Sequence, residues 1–297
     1  MGVPRDVIDS AGLDPDDDPE GLAVTATSHL APPPGRTTRF LDAAPGGRFI
    51  SRGRLTARAM YWLAWLIFSK RSSVSTGVQR EMQALGVGAL RLTFSASILV
   101  GLIIVFQVSY QLAPYSAQVF SAKAVGWFTA REMGPLVAAL LVVARSSAAI
   151  AGELASMSAS AELDALRAMG LDPVKYLVAP KLAALLISLP ALTVLTDMLI
   201  IAGGWVGSTF FLGFSSAFFF EQFRDSLELR DIVIGLGKSV LFSVVIAVIP
   251  SDEGLSVSRH VSAIGQAATR AVVFSLIGVL GADTVVNAVF YFIPGLV

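Results

Sequence analysis

Few side chains of this sequence could carry chemistry, and the run GLGKS, at Gly235–Ser239, comes closest to a known reactive motif. It resembles the end of a phosphate-binding loop, in which backbone amides and a lysine hold the phosphates of a nucleotide. The motif needs an earlier glycine where this chain has Ile232, and the run lies in an apolar stretch. We therefore expect no nucleotide there, and we expect Lys238 to extend toward the outer interface of a membrane.

Other reactive groups are scarce. The chain has no cysteine, which excludes disulfides and thiolate metal sites, and its two histidines are His29 and His260. No serine, histidine and acid arrangement lies on a soluble scaffold, so hydrolase chemistry is unsupported. A formal charge of zero without a basic domain argues against a nucleic-acid partner. We expect no catalytic residue, no metal and no cofactor in this chain.

The composition indicates what must position the remaining charged side chains. Apolar residues make up 54% of the sequence and charged residues 15%, which is typical of an all-α integral membrane protein. Five segments are long and apolar enough to cross ~30 Å of hydrocarbon. They are Leu92–Leu112, Met133–Gly152, Leu182–Val206, Ile232–Pro250 and Ala271–Ile293.

Three regions follow from this pattern. Residues 1–47 are rich in Pro, Gly and Asp and are predicted to be a disordered tail. Residues 48–75 are predicted to hold an amphipathic helix in the headgroup plane, because the apolar run Ala59–Phe68 is too short to span and carries Trp62 and Trp65. The alternative is a helix packed on the rest of the domain. Residues 76–297 form the five-span domain.

Cations predict the orientation of the spans. The stretch from Arg48 to Arg91, which leads into the first span, holds eight of them, whereas the loop after that span holds only Lys123 and Arg131. The eight are Arg48, Arg52, Arg54, Arg58, Lys70, Arg71, Arg80 and Arg91. Positive loops stay inside, so the N-terminus and the loop 153–181 are predicted to be cytoplasmic and the C-terminus to lie outside.

The loop between the second and third spans contains a patterned stretch, AELDALRAMGLDPVKYLVAP. It places Leu163, Leu166 and Met169 on one side of a short helix, with Asp164 able to pair with Arg167. Gly170 suits a helix C-cap, and Asp172 with Pro173 suits the N-cap and first position of the next helix. The result is a helix, a tight elbow and a second helix. Such a unit could transmit a movement from a cytoplasmic partner to the membrane spans. The alternative is an ordinary amphipathic loop helix resting on headgroups.

Besides Lys238, several charged residues lie within or at the edge of the spans, where a charge is costly unless it is paired or hydrated. Arg131 and Glu132 are at the outer mouth of the second span, where a surface ion pair is one interpretation. Arg145 is about two turns from the cytoplasmic end of that span and is expected to snorkel. Asp197 and Asp283 are nearer mid-membrane and are expected to bond to neighbouring helices, proton coupling being their other possible use.

Several motifs resemble one family in the same order along the chain. They are Glu132-Met133-Gly134-Pro135, Glu153-Leu154 with Met157, Asp164-Ala165-Leu166 with Met169-Gly170 and Asp172-Pro173, Lys238-Ser239, and ATRAVV at Ala268–Val273. From Thr76 to Phe292 the chain is similar to MlaE-type, or YrbE-type, permeases, the membrane subunits of ABC transporters that move lipids with MCE-domain partners. IPSDEG at Ile249–Gly254 departs from the family pattern and leaves the exit of the fourth span in doubt.

The resemblance implies an MlaE-like permease fold that works as a homodimer in the inner membrane. It implies a phospholipid bound in a central cavity facing outward and exchanged with an MCE-domain partner. ATP and Mg²⁺ would be bound by a separate cytoplasmic ABC ATPase, so this chain would not be an enzyme.

The resemblance also assigns residues. The ATPase-coupling set on the loop is Glu153, Glu162, Leu163, Asp164, Leu166, Arg167, Met169, Gly170, Asp172 and Pro173, with the side formed by Leu163, Leu166 and Met169 as the anchor. The lipid-cavity set is Leu99, Ile103, Phe106, Tyr110, Arg131 and Glu132.

Two other classes of function stay open. A proton-coupled secondary transporter would use Asp197 or Asp283, although five spans do not divide into the paired inverted repeats typical of that class. A membrane scaffold for a cytoplasmic partner would need the loop but not the cavity residues.

Overall fold

The computed structural model describes residues 47–68, 72–115, 117, 120–257 and 262–292. The predicted tail, apart from Gly47, lies outside the described residues, as do His29, His260 and Ile293 and the side chain of Trp65. The chain divides into two compact units, Met1–Ser51 and Arg52–Val297. In the first unit, residues 47–51 are described, and they are helical.

All regular elements of the described part are helical, which confirms the all-α class. The α-helices are α1 (Gly47–Phe68), α2 (Ser72–Glu81), α3 (Leu90–Leu112), α4 (Ser121–Phe128), α5 (Gly134–Val142), α6 (Ala148–Ala159), α7 (Glu162–Ala168), α8 (Ala179–Val206), α9 (Ser216–Ser226), α10 (Leu229–Leu255) and α11 (Ser262–Phe292). Five π turns join some of them: Met82–Gly86, Thr129–Met133, Val143–Ser147, Val174–Val178 and Gly207–Phe211. Two 3₁₀ turns, Val87–Ala89 and Ala113–Tyr115, flank α3.

These helices build five membrane spans in the described residues, as predicted. The spans are Gly77–Tyr115, Ser121–Ala159, Val174–Phe211, Leu229–Leu255 and Ala263–Phe292. All five are longer than the predicted apolar segments because the helices continue past the hydrophobic residues at their ends. We name the two ends of the bundle by the predicted orientation. Residues 160–173 lie at the predicted cytoplasmic end, and residues 212–228 lie at the predicted outer end.

Small residues bring the first and third spans close together. A Cβ added at Gly101 would lie 2.0 Å from the carbonyl oxygen of Ile200, and one added at Gly203 would lie 2.2 Å from that of Ile98. Only glycine permits such an approach, which matters in lipid, where apolar side chains alone give helices little reason to associate. The two spans therefore pack backbone against backbone.

Helix α1 packs on the five-span bundle through Leu55, Ala59 and Leu63, which are buried in its main hydrophobic core. The opposite side is exposed and includes Arg54 and Tyr61. The sequence offered a helix in the headgroup plane or a helix packed on the domain, and the packed contacts are present. Placement of the exposed side in the headgroups stays a prediction.

The exit of the fourth span, left in doubt by the sequence, is a continuous helix through Leu255. Its acidic residues hold neighbouring helices, because Arg52 lies 3.3 Å from Asp252 Oδ2 and 2.8 Å from Glu253 Oε1. Glu253 Oε2 also lies 3.2 Å from Arg270 Nε. IPSDEG thus ties α1 and α11 to the end of α10.

Candidate functional site

A polar cluster lies inside the bundle around Lys238, which is only 2% exposed. Its Nζ donates to Glu132 Oε2 at 2.5 Å and to Asn287 Oδ1 at 2.8 Å, and it lies 2.9 Å from Asp283 Oδ1. Asn287 also donates to Glu132 Oε1 at 2.9 Å. We call Glu132, Lys238, Asp283 and Asn287 the buried cluster. It joins the second, fourth and fifth spans.

Local structure explains why these side chains meet. Asp283 and Asn287 are one turn apart on α11 and share a face. Glu132 lies in the π turn Thr129–Met133, three residues before Pro135 in the first turn of α5. A Cβ added at Gly235 would lie 2.2 Å from the carbonyl oxygen of Ala130, so this glycine lets α10 approach that π turn. Within GLGKS, Gly235 thus allows close helix packing, and Lys238 forms a buried ion pair.

The prediction that Lys238 reaches the outer interface is wrong. A buried ammonium must be paired, because desolvation costs several kcal/mol per ion, and the cluster supplies two carboxylates and an amide oxygen. Sequence reasoning missed Asn287 entirely. The spacing of Asp283 and Asn287 on an apolar helix was the one available signal, because it places two polar side chains on the same face.

Arg131 points to different partners from those of its neighbour Glu132, so the two do not form a surface ion pair with each other. The Arg131 guanidinium lies 3.7 Å from Asp231 Oδ1 and faces the rings of Trp127 and Phe290 at 5.9 and 5.8 Å. Its side chain is 18% exposed. Ring contacts of this kind orient a guanidinium and leave its in-plane N–H groups available.

The predicted cavity residues of the first span form one exposed stripe. Leu99, Ile103, Phe106 and Tyr110 are spaced by three or four positions, which places them on one face of α3, and all four are exposed. Phe106 packs edge-on against Phe211 of the third span, with ring centroids 5.3 Å apart. The stripe is therefore an apolar surface of this chain that runs toward the predicted outer end.

The structure confirms the predicted contacts of some of the other charged residues in the spans and contradicts those of others. Asp283 bonds to a neighbouring helix, as predicted. Asp197 does not, because its Oδ1 is buried without a hydrogen-bond partner among the described residues. A Cβ added at Gly134 would lie only 1.6 Å from this oxygen, so the glycine leaves the space that the Asp197 side chain occupies. Arg145, expected to snorkel, donates to the carbonyl of Ala84 at 2.6 Å. Arg145 thereby ties the second span to the first π turn.

At the predicted cytoplasmic end, α7 closes with the predicted cap. Gly170 has φ of 74°, Leu171 N–H donates to the Leu166 carbonyl at 2.9 Å, and Gly170 N–H donates to the Arg167 carbonyl at 3.0 Å. This is a Schellman motif, which satisfies the last carbonyls of the helix. The predicted pair of Asp164 with Arg167 is also present, at 3.0 Å.

Asp172 fixes the elbow that follows α7. Its Oδ1 accepts the backbone N–H of Val174 at 3.0 Å, so it caps the helix that begins at Pro173, as predicted. Its Oδ2 accepts from Arg58 at 2.8 Å and from Trp62 Nε1 at 3.0 Å. Burial raises the pKa of Asp172, but the hydrogen bonds from Arg58, Val174 and Trp62 outweigh it and hold that pKa below its usual value. The elbow is thus tied to α1.

The predicted docking side of α7 needs a correction. Leu163 is 2% exposed and faces its own chain, so it is not available as an anchor for a partner. Leu166 is half-buried, whereas Met169 is 64% exposed. The reason is that an amphipathic helix turns its apolar side to its own bundle first. The large exposed side chains of α7 and its C-cap include Glu162, Arg167 and Met169.

A second buried lysine lies where the first three spans meet at that end. Lys181 Nζ lies 2.7 Å from Glu81 Oε1 and 2.7 Å from Glu153 Oε2. Glu153, assigned to the coupling set, therefore holds the third span, while Glu162 accepts from Ser160. Sequence reasoning missed Lys181 and Glu81, because 100 residues separate them.

Comparisons with known proteins agree on one family. The family model described as Permease MlaE matches residues 78–289. A probable ABC transporter permease protein of Rickettsia typhi is 29% identical over 72% of this chain and 83% of its own length. The intermembrane phospholipid transport system permease protein MlaE of Haemophilus influenzae is 30% identical over 71% of this chain and 82% of its own length. The chloroplastic protein TRIGALACTOSYLDIACYLGLYCEROL 1 of Arabidopsis thaliana is 32% identical over 54% of this chain and 46% of its own length.

Proposed function

The chain belongs to the MlaE permease family, and from this premise we propose that it is the membrane-spanning subunit of an ABC transporter that moves phospholipid. The match over residues 78–289 carries the proposal, because it takes in nearly the whole length of the five spans. One relative is by name a phospholipid transport permease. In this proposal a separate ATPase subunit binds ATP and Mg²⁺, and this chain performs no covalent chemistry.

The ATPase seats on α7 in this proposal. The support is mechanical, because the elbow that follows α7 is fixed: α7 closes in a Schellman motif, and Asp172 is held by Arg58 and Trp62. Lys181 links the start of the third span to Glu81 and Glu153. A displacement of α7 would therefore pass to the spans rather than be absorbed in a slack loop. Met169 and Arg167 are the exposed side chains that a partner would meet first.

The lipid binds at the predicted outer half, in a cavity completed by a second copy of the chain. The exposed stripe of α3 provides apolar surface for acyl chains, and Arg131 provides a guanidinium whose geometry suits a phosphate. An MCE-domain protein exchanges lipid with that cavity. The chain spans the inner membrane with its N-terminus in the cytoplasm and its C-terminus outside.

Co-purification tests this function. The full chain is expressed with its ATPase, solubilised in detergent and purified, and both the retained ATPase and the extracted lipids are quantified. Wild type is expected to carry both. Met169→Asp places a charge on the exposed surface of α7 and is expected to lose the ATPase while keeping the lipid.

Leu229→Asp is the matched control, because it makes the same kind of change at an exposed position of the predicted outer end. This variant is expected to keep both the ATPase and the phospholipid. If Met169→Asp retains the ATPase as wild type does, the docking assignment is wrong. If wild type carries neither phospholipid nor ATPase, the transporter assignment is wrong, and the unbonded Asp197 makes the proton-coupled alternative the next to test.

A further inference from the structure

A groove of about 410 Å³ lies between the first and third spans, toward the predicted cytoplasmic end. It is separate from the stripe and Arg131, which belong to the predicted outer half. Its apolar lining includes Val87, Leu90, Ile187 and Ala191, and its polar lining includes Gln79 and Gln83. We call this space the inner groove.

The inner groove results from an irregular stretch of the first span. The π turn Met82–Gly86 and the 3₁₀ turn Val87–Ala89 interrupt the helix where it faces the third span. A Cβ added at Gly86 would lie 2.7 Å from Ser188 Cβ, so the two spans touch there. The side chain of Ala191 is too small to fill the space beside this contact. The residues that line the groove all belong to two spans of one chain.

The amide side chains of the inner groove lie at one end, whereas the hydroxyl of Ser188, farther along the groove, donates to the carbonyl of Ala184 in its own helix. Gln79 and Gln83 are four residues apart, so their amides lie on the same face of the helix. Arg80, beside them in the chain, is exposed. From Gln79 to Leu90 the groove follows the first span for roughly 16 Å, at ~1.5 Å per helical residue. The groove thus has a polar entrance and an apolar body, which is the pattern of an amphiphile-binding site.

We propose that the inner groove binds one acyl chain of a glycerophospholipid from the cytoplasmic leaflet, with the lipid's ester and phosphate groups at Gln79, Gln83 and Arg80. Its volume falls in the range of ~300–1,000 Å³ typical of small-molecule sites, and acyl chains are the medium around it. The inference rests on the proposed lipid permease and names the place where a lipid from that leaflet first contacts it.

The test uses a phospholipid that carries a photoreactive diazirine in its acyl chain. The full-length protein is placed in lipid nanodiscs with increasing fractions of this probe, irradiated and digested, and crosslinked peptides are identified by mass spectrometry. Crosslinks to residues 187–195 are expected to saturate at a low probe fraction. Crosslinks to residues 273–280, an exposed part of the fifth span, are expected to rise in proportion to the probe, because bulk lipid contacts them.

Two variants on the same helix sharpen the test. Ala191→Trp fills the inner groove and is expected to abolish the saturable crosslink. Val194→Trp, exposed but outside the groove lining, is expected to leave it unchanged. Should Ala191→Trp elute as an aggregate in size-exclusion chromatography, Ala191→Leu takes its place as the smaller filling variant.

Three results would overturn the inference. The first is proportional crosslinking at residues 187–195 in wild type, and the second is a saturable crosslink that survives a folded filling variant. The third uses the absence of cysteine from the chain: a disulfide-linked dimer of Ala191→Cys would place a second copy in the groove. The crosslinking needs no ATPase, so it succeeds or fails independently of the co-purification that tests the proposed transport.

Discussion

Lys238 Nζ lies 2.9 Å from Asp283 Oδ1, and this contact joins the fourth and fifth spans inside the bundle. With Glu132 and Asn287, these residues form a network drawn from three helices. The cluster and the nearby pair of Arg131 with Asp231 contain two cations and three carboxylates. The carboxylates already outnumber the cations, so removal of either cation adds to the excess of negative charge.

Lys238→Met is therefore expected to destabilise the protein by about 3–5 kcal/mol, the usual cost of stranding a buried charge by removing its partner. The measurement is the midpoint of thermal unfolding in detergent, with Lys123→Met, a change at a partly exposed lysine of α4, as the control. A loss no larger than that of the control would show that the carboxylates are neutral or hydrated without Lys238.

Asp172→Asn distinguishes two contributions of Asp172 to stability, its hydrogen bond to the start of the next helix and its ion pair with Arg58. Asparagine still accepts the Val174 N–H, so the helix start is expected to persist, whereas the ionic contact with Arg58 is lost. Because the pKa of Asp172 lies below its usual 3.8 in the folded protein, the charge contributes its full stability above that value. The contribution disappears as the pH falls through the lowered pKa.

The measurement is the difference in unfolding midpoint between wild type and Asp172→Asn, followed from neutral pH to below that usual value. The difference is expected to be constant near neutral pH and to shrink at low pH. A difference that grows as the pH falls would contradict the structure.

Gly170→Ala tests the turn that closes α7. The residue has φ of 74°, and a Cβ there would meet no atom within 4 Å, so the cost is backbone strain alone, about 1 kcal/mol. Gly265 in α11 also has open space around it but no positive φ, so Gly265→Ala is expected to be neutral or stabilising. Equal effects of the two substitutions on thermal unfolding would remove the argument for a strained elbow.

Arg131→Ala is expected to lower the amount of phospholipid that co-purifies with the complex, because it removes the guanidinium proposed to bind the phosphate. Arg131→Lys is expected to restore binding only partly, since an ammonium lacks the planar paired donors. Arg224→Ala, at an exposed arginine of α9, is the control for loss of a cation at the same end. Equal lipid retention in all three variants would exclude Arg131 from the lipid site.

Local patterns predicted the parts of the structure that depend on adjacent residues. Apolar length identified the five spans, and glycine at position 170 and aspartate at position 172 identified the elbow, because each cap is made within a few residues of itself. The π turns were not predicted, since an extra residue in a helical turn leaves no consistent residue type behind.

Long-range contacts account for what sequence reasoning missed. Lys238 was placed at an interface because a lysine in an apolar span can extend to the membrane surface, whereas its partner Asp283 is 45 residues away along the chain. Leu163 was assigned to the surface that binds a partner, because an apolar stripe on a helix can pack either on another protein or on its own chain. The loop packs that residue on its own chain, and a sequence without contacts cannot distinguish the two outcomes.

The π turns of the described residues are confined to the first three spans, whereas the fourth and fifth are regular helices without one. A π turn has a weaker local ladder and often marks a place where a helix bends. In mechanical terms, α10 and α11 form a stiff frame joined by Lys238, and the deformable joints lie in the spans that flank the elbow. A force applied at α7 is then expected to bend the first three spans against the fixed fourth and fifth spans, so that the movement within this chain is asymmetric.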